Sequence, residues 1–164
     1  MASTGIAPAF APTRAIIGPV QSQAGFQYWY LVCFPDCIVA VRQGIWAGLL
    51  LAMSGTTPPA HLGVLGYLLV ALLKSRGSVR RKLVEAEITN TPTSRLRMQP
   101  NLVFEIPQLR AITLKGKSFG GLITPDITFE TASGTKQKFG IQKPDYDKAC
   151  PQLKLMYPAL CKLI

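Results

Sequence analysis

The chain has 164 residues, a length that predicts one domain able to bury a full core. Only 16% of its residues are charged, against about 25% in an average soluble domain, and 48% are hydrophobic, so its composition is not that of an average soluble domain. The formal net charge of +10 implies an anionic partner, either a nucleic acid or an anionic bilayer surface.

The first part of the chain predicts a leader followed by a β-hairpin. Residues 1–24 are rich in Ala, Pro, Gly and Ser, a composition typical of a flexible leader. Residues 26–34 are rich in aromatic and β-branched side chains, which favours a strand. Pro35 and Asp36 then predict a turn, and residues 38–42 continue as a second strand. The domain is therefore expected to span residues 25–164.

Residues 43–73 contain no Asp, Glu, Lys or Arg. Two apolar arms, at 44–53 and 61–73, flank a segment that Pro58 and Pro59 exclude from a continuous helix. Neither arm alone reaches the roughly 20 apolar residues of a membrane-spanning helix. The absence of charge on every helical face favours a helical hairpin in the membrane.

Three interpretations of this apolar hairpin remain open: a hairpin that dips into one leaflet, two buried core helices of a soluble protein, or two short spanning helices. In the first interpretation the membrane-contacting residues are Ile45, Trp46, Leu49, Leu50, Leu65, Tyr67, Leu68 and Leu69.

A basic cluster follows the second arm at once and consists of Lys74, Arg76, Arg80, Arg81 and Lys82. Basic residues directly after an apolar stretch favour contact with anionic lipid headgroups. Together with the hairpin they form a predicted insertion at residues 43–82. Residues 79–89 fit both helical and strand spacing, and the alternation of Val84, Ala86 and Ile88 favours a strand late in this segment. Residues 90–100 are polar, contain two prolines and predict a loop.

The remaining chain predicts four strands and a helix. The strands are expected at residues 102–106, 110–115, 122–131 and 135–141, with turns at 116–118 and 132–134. Residues 145–163 predict a helix capped by Asp145 and kinked or divided by Pro151 and Pro158. Its apolar stripe comprises Ala149, Leu153, Met156, Leu160 and Leu163.

Two stretches of the chain carry a resemblance to a known family. The first is the strand-turn-strand opening Tyr30-Leu-Val-Cys-Phe-Pro-Asp-Cys-Ile-Val-Ala-Val41. The second begins at Phe104-Glu-Ile-Pro-Gln-Leu-Arg-Ala-Ile-Thr-Leu114 and continues through residues 127–139 to the terminal helix. Together they resemble the bacterial pleckstrin-homology-like (PH-like) domains. The resemblance covers roughly half of the chain. It implies an α+β fold: a PH-like antiparallel β-barrel or sheet capped by a C-terminal helix, here with an inserted apolar helical hairpin. No headgroup-binding residue of the family can be matched to a position in this chain.

Sites for catalysis, metals and cofactors are not indicated. Residues 111–118 fit a relaxed phosphate-loop pattern, but the residues after Ser118 are poor helix formers and 111–115 itself predicts a strand. Cys33, Cys37, Cys150 and Cys161 do not form a recognised zinc spacing with the one histidine, His61. With no visible export signal, reduced buried thiols are expected. The protein is therefore predicted to be no enzyme and to hold no cofactor or metal.

The predicted function is a membrane-associated PH-like module that binds anionic lipid headgroups or a protein partner. A second basic patch is expected at Lys115, Lys117, Lys136 and Lys138. The positive-inside rule predicts that the barrel lies on the cytoplasmic side. The alternative is a soluble interaction or oligomerisation domain whose hairpin is buried in protein. Nucleic acid is a weaker prediction, because aromatic side chains do not alternate with the basic ones.

Overall fold

The computed structural model describes residues 14–22, 27–44, 63–98, 100–116 and 124–164, with the backbone alone for 63–74. Its strands form one eight-stranded sheet in the order β4-β3-β2-β1-β7-β6-β5-β8. The strands are β1 Ala15–Ser22, β2 Tyr28–Cys33, β3 Cys37–Arg42, β4 Leu102–Glu105, β5 Leu109–Lys115, β6 Asp126–Thr131, β7 Lys136–Ile141 and β8 Cys161–Leu163. A 3-10 turn at Ile106–Gln108 separates β4 from β5.

Neighbouring strands are antiparallel except at one edge. β1 to β4 form one meander and β5 to β7 form another, and β1 pairs with β7 where Val20 lies opposite Ile141. β8 joins parallel to β5. The predicted hairpin of β2 and β3 is confirmed, with Val32 opposite Val39.

The sheet curls so that its two meanders face each other across the larger core. Phe104 on β4 stacks on Phe129 of β6, with ring centroids 4.9 Å apart, although the two strands lie far apart in the sheet order. Within the described residues β4 and β8 are the two ends of the sheet and do not pair, so the sheet does not close into a barrel. The architecture is therefore an α+β fold with a mixed, open sheet. Of the expected antiparallel barrel or sheet, the structure has the open sheet, and the parallel strand β8 makes it mixed.

Helices cover both faces of β2 and β3, which explains why these strands are apolar on successive positions. Helix α3 (Lys143–Met156) packs its Ala149 and Leu153 into the larger core together with Leu31 and Ile38. Helix α1 (Gly63–Asn90) packs its Val84 and Ile88 on the opposite face of the same strands. The short helix α2 (Thr93–Leu96) adds Leu96 to this second cluster.

The strand expected late in residues 79–89 is wrong, because this segment is the C-terminal part of α1. Val84 and Ile88 are buried one helical turn apart, whereas Ala86 between them is exposed. The alternation that favoured a strand was therefore coincidental, and the four-residue spacing was the one that mattered. The second apolar arm from Gly63, the basic cluster and this segment form one 28-residue helix. The first arm and the Pro58–Pro59 breaker lie outside the described residues.

The C-terminal helix is shorter than expected. α3 ends at Met156, and Pro158 follows in a turn that leads to β8. Leu163 is consequently an exposed strand residue rather than part of the helical stripe. Asp145 does not cap the helix, since Gln142 occupies the N-cap position and the Asp145 side chain is buried against α1.

The leader predicted for residues 1–24 is wrong for residues 15–22, which form the central strand β1. Gly18 and Pro19 interrupt its apolar pattern and concealed it in the sequence. Gly18 has a φ of 148°, and a Cβ at this position would lie 3.0 Å from the Tyr30 ring and 3.1 Å from the Trp29 carbonyl oxygen. β1 and β2 therefore approach closely at this point only with glycine at position 18.

Among the helices that the structure describes, none combines the length and the apolarity that crossing a membrane requires.

Candidate anionic-surface site

The side chain of Arg81 holds the C-terminal part of α1 on the sheet through contacts with two other elements. The Nη2 atom of Arg81 lies 2.6 Å from Oδ1 of Asp145 on α3 and donates to the carbonyl oxygen of Gly18 on β1 at 2.7 Å. Its Nε donates to Glu85, one turn along α1, at 2.9 Å. Burial opposes the charge of Arg81, but its hydrogen bonds to Asp145 and Glu85 raise the pKa of the guanidinium. These groups line a cavity of about 300 Å³ between α1, β1 and α3.

A second arginine fixes the end of α1. The guanidinium of Arg14 donates to the carbonyl oxygens of Ile88, Thr89 and Thr91, the last two at 3.0 and 3.5 Å. These carbonyls lie at the helix C-terminus, where a cation complements both the unpaired acceptors and the helix dipole. The same guanidinium lies 5.2 Å from the centroid of the Phe34 ring.

The side of α1 that faces away from the sheet combines basic and apolar side chains. Val79 and Leu83 are each 58% exposed and lie one helical turn apart. Arg76 and Arg80 lie beside them and are exposed, and the four residues line a shallow cavity of about 330 Å³. We call Arg76, Val79, Arg80 and Leu83 the basic–apolar face.

The structure divides the predicted basic cluster into surface and structural members. Arg76, Arg80 and Lys82 are exposed, whereas Arg81 is half-buried and forms the ion pair described above. Lys74 lies on α1, but its side chain is outside the description. The charge run in the sequence did not distinguish Arg81, because its partner Asp145 is 64 residues away.

The structure does not describe the side chains of the predicted membrane-contacting residues. Leu65, Tyr67, Leu68 and Leu69 lie on the N-terminal part of α1, whose backbone alone is described. Ile45, Trp46, Leu49 and Leu50 lie outside the described residues.

The second predicted patch lies on β5 and β7, with the acidic residues of β6 between them. Lys138 Nζ lies 3.0 Å from Asp126, and Lys136 Nζ lies 3.6 Å from Glu130. Lys115 lies opposite Asp126 in the register of the sheet. Lys117 is outside the described residues. Because carboxylates balance two of these lysines, this surface carries less free positive charge than the basic–apolar face.

A basic pocket that the sequence did not predict lies beside α1. It has a volume of about 450 Å³ and is formed by the end of β3, α1, α2 and Asn101. Three arginines from separate elements line it: Arg42 from β3, Arg80 from α1 and Arg95 from α2. Sequence spacing gave no signal for this set, because only the packing of α1 and α2 on β3 brings the three residues together. We call Arg42, Arg80 and Arg95 with their cavity the guanidinium pocket.

Cys33 and Cys37 lie in the interior of the protein. Cys33 and Cys37 are fully buried, and burial raises the pKa of the Cys33 thiol to about 12, which keeps it protonated. Tyr157 closes this region by donating its hydroxyl hydrogen to the Phe34 carbonyl oxygen at 2.6 Å. In the described part of the chain, no group of three or more His, Cys, Asp or Glu side chains is placed to hold a metal ion.

No protein-family model matches the chain, and no curated protein matches its sequence.

Proposed function

We propose that the protein is a non-enzymatic, membrane-associated module that places the basic–apolar face of α1 against anionic lipid headgroups. The observation that carries this proposal is the exposure of Val79 and Leu83 between basic side chains on the helix that continues the uncharged stretch of residues 43–73. Exposed apolar side chains beside basic ones suit the boundary between headgroups and acyl chains.

The direction of α1 supports this arrangement. Its first eleven residues, 63–73, carry no charge, and its basic residues begin at Lys74. Its C-terminal part is fixed to the sheet through Val84, Ile88, Arg81 and Arg14. One helix therefore connects the apolar arm, the proposed headgroup level and the folded domain. By the positive-inside rule, the proposal places the domain on the cytoplasmic side.

A PH-like identity is part of the same proposal. Two antiparallel meanders followed by a helix that packs on the core support it, in addition to the sequence resemblance. In this view residues 43–82 are an insertion after β3, and α1 extends the module toward the bilayer.

A second candidate is self-association, which the exposed Val79 and Leu83 also favour. In a two-fold dimer through this face, however, the same patch occurs on both sides, so Arg76 and Arg80 of one copy face a surface that carries the same two arginines. Like charges that share one interface repel each other, whereas anionic headgroups relieve this repulsion. The face therefore fits a lipid surface better than a second copy.

Lipid selectivity tests the proposal. The full chain is reconstituted into phosphatidylcholine bilayers, and the association of spin-labelled phosphatidylserine is compared with that of spin-labelled phosphatidylcholine by electron paramagnetic resonance. We expect a preference for phosphatidylserine that weakens with salt, because each basic residue near an anionic surface adds about 1 kcal/mol. The double variant Arg76→Gln/Lys82→Gln is expected to lose most of it.

The matched control is Lys143→Gln/Lys154→Gln, which removes two charges from exposed positions on α3. Equal selectivity for the two lipids in the unchanged protein, or an equal loss in both double variants, contradicts the proposal.

A further inference from the structure

The guanidinium pocket carries three positive charges that have no partner in the described part of the protein. The guanidiniums of Arg42, Arg80 and Arg95 make no hydrogen bond or ion pair there, whereas Arg14, Arg81, Arg97 and Arg110 each contact a carboxylate or a carbonyl oxygen. Three like charges around one cavity repel each other, so an anion that enters it is stabilised by all three.

The packing of the surrounding elements fixes the backbone positions that carry these arginines. Val84, Ile88 and Leu96, all at most 4% exposed, contribute to the walls of the cavity. Asn101 accepts a hydrogen bond from the Arg42 backbone N–H at 3.0 Å and donates to the Leu96 carbonyl oxygen at 2.9 Å. It thereby joins the end of β3 to the end of α2, so the backbones that carry Arg42 and Arg95 are held together.

The chemistry of the pocket indicates the class of ligand. Guanidiniums bind phosphate oxygens through paired, charge-assisted hydrogen bonds, and a phosphate monoester offers three such oxygens and nearly two negative charges. Glu87 also lines the cavity, and its carboxylate makes no hydrogen bond or ion pair in the described residues. A carboxylate beside a phosphate site accepts hydrogen bonds from ligand hydroxyls but repels a second phosphate.

We propose that the guanidinium pocket binds a phosphate monoester that carries a neighbouring hydroxyl group. The cavity of about 450 Å³ lies within the range of roughly 300–1,000 Å³ typical of small-molecule sites. The ligand is either a soluble phosphorylated polyol or the phosphate monoester headgroup of a lipid. The lipid source rests on the proposed membrane function, because Arg80 belongs to both the pocket and the basic–apolar face, and the soluble source does not.

The site is tested with two probes that share the phosphate monoester. Glycerol 3-phosphate is titrated into the full chain in non-ionic detergent by calorimetry. Lysophosphatidic acid, whose glycerol keeps a free hydroxyl beside the phosphate monoester, is presented in bilayers with phosphatidylserine as the comparison lipid. The variant Arg42→Gln/Arg95→Gln leaves the residues of the basic–apolar face unchanged. We expect it to weaken binding of at least one probe tenfold or more, and we expect sulfate to compete with glycerol 3-phosphate.

The control Arg110→Gln/Lys162→Gln removes two charges from exposed positions on β5 and β8, and we expect it to change affinity less than twofold. Loss of glycerol 3-phosphate binding in the pocket variant alone supports a site for soluble ligands. Loss confined to lysophosphatidic acid supports a lipid headgroup site. Binding of neither probe by the unchanged protein, or equal weakening in both variants, overturns the proposal.

Failure here and failure of the proposed function are distinguishable. If the guanidinium pocket binds neither probe, we still expect the selectivity for phosphatidylserine and its loss in Arg76→Gln/Lys82→Gln. If the membrane proposal fails, calorimetry with glycerol 3-phosphate still reports on the pocket, because that measurement involves no bilayer.

Discussion

Arg81 and Lys82 are adjacent in the sequence but differ in environment. Arg81 is about one-third exposed and pairs with Asp145, which is 6% exposed, whereas Lys82 lies on the surface. Removal of the Arg81 guanidinium leaves the Asp145 carboxylate buried without its cation, which is costly. The two neighbours therefore have separable roles: Arg81 stabilises the docking of α1, and Lys82 contributes surface charge.

We predict that Arg81→Gln lowers the free energy of unfolding by about 3 kcal/mol, while Lys82→Gln changes it by less than about 0.5 kcal/mol. Denaturant unfolding of the full chain measures both. The double variant Arg81→Met/Asp145→Leu is expected to recover part of the loss, because it removes the buried Asp145 carboxylate together with its half-buried cation. Equal stability of the two single variants would show that the Arg81–Asp145 pair does not support the fold.

The buried thiol of Cys33 is expected to make the free energy of unfolding depend on pH in the alkaline range. Burial raises the pKa of its thiol from 9.0 to about 12, so between these values the unfolded chain loses this proton and the folded chain keeps it. Stability contributed by the protonated thiol is therefore complete below pH 9 and falls as the pH rises toward 12. Each such group contributes a slope of about −1.4 kcal/mol per pH unit in this window.

We expect Cys33→Ala to make the loss of stability between pH 9 and 11 shallower by up to about 1.4 kcal/mol per pH unit. Unfolding measured at a series of pH values, each compared with the same protein at pH 7, tests this slope. An unchanged slope in Cys33→Ala would mean that the thiol does not ionise on unfolding in this range.

At the scale of elements, α1 has two opposite faces with different tasks. Val84 and Ile88 pack on β2 and β3, while Val79 and Leu83 face away from the sheet. The periodicity that reveals this division is helical, yet the short alternation from Val84 to Ile88 also fitted a strand. Only the packing of the segment against the sheet decides between the two, so the sequence alone left it open.

We predict that Ile88→Ala lowers the free energy of unfolding by about 2–4 kcal/mol, because it leaves a cavity between α1 and the sheet. Leu83→Ala removes a similar side chain from an exposed position of the same helix and is expected to change stability by less than about 0.5 kcal/mol. Thermal and denaturant unfolding of both variants provide the comparison. A similar loss in the two would show that α1 does not dock through Ile88.

At the scale of the whole molecule, the sequence predicted those helices and strands whose residue types and flanking turns are distinctive by themselves. The β2–β3 hairpin, β5, β7 and the start of the C-terminal helix follow from residue type and turn chemistry, and the structure has them within a few residues. β1 was missed because Gly18 and Pro19 interrupt its apolar pattern. β8, which pairs with β5, was missed because the predicted C-terminal helix extended through its residues. Both strands depend on partners distant in the sequence.

The candidate site was predictable only in part for the same reason. The run of basic residues located the exposed Arg76, Arg80 and Lys82. It also included Arg81, whose ion-pair partner lies on α3, and it omitted Arg42 and Arg95, which only the packed fold brings beside Arg80. A run of basic residues in the sequence shows only where the charges lie along the chain. Which of them pair with a carboxylate, and which come together around a cavity, depends on the fold.

Sequential extraction tests the central claim, membrane association, most directly. The full chain is expressed without detergent, the membrane fraction is collected, and the pellet is washed first with high salt and then with detergent. Because the apolar stretch and the basic–apolar face act together, we expect the protein to stay in the pellet through the salt wash and to be released by detergent. Dispersed, monodisperse protein in detergent-free buffer, or complete release by salt, would contradict this account.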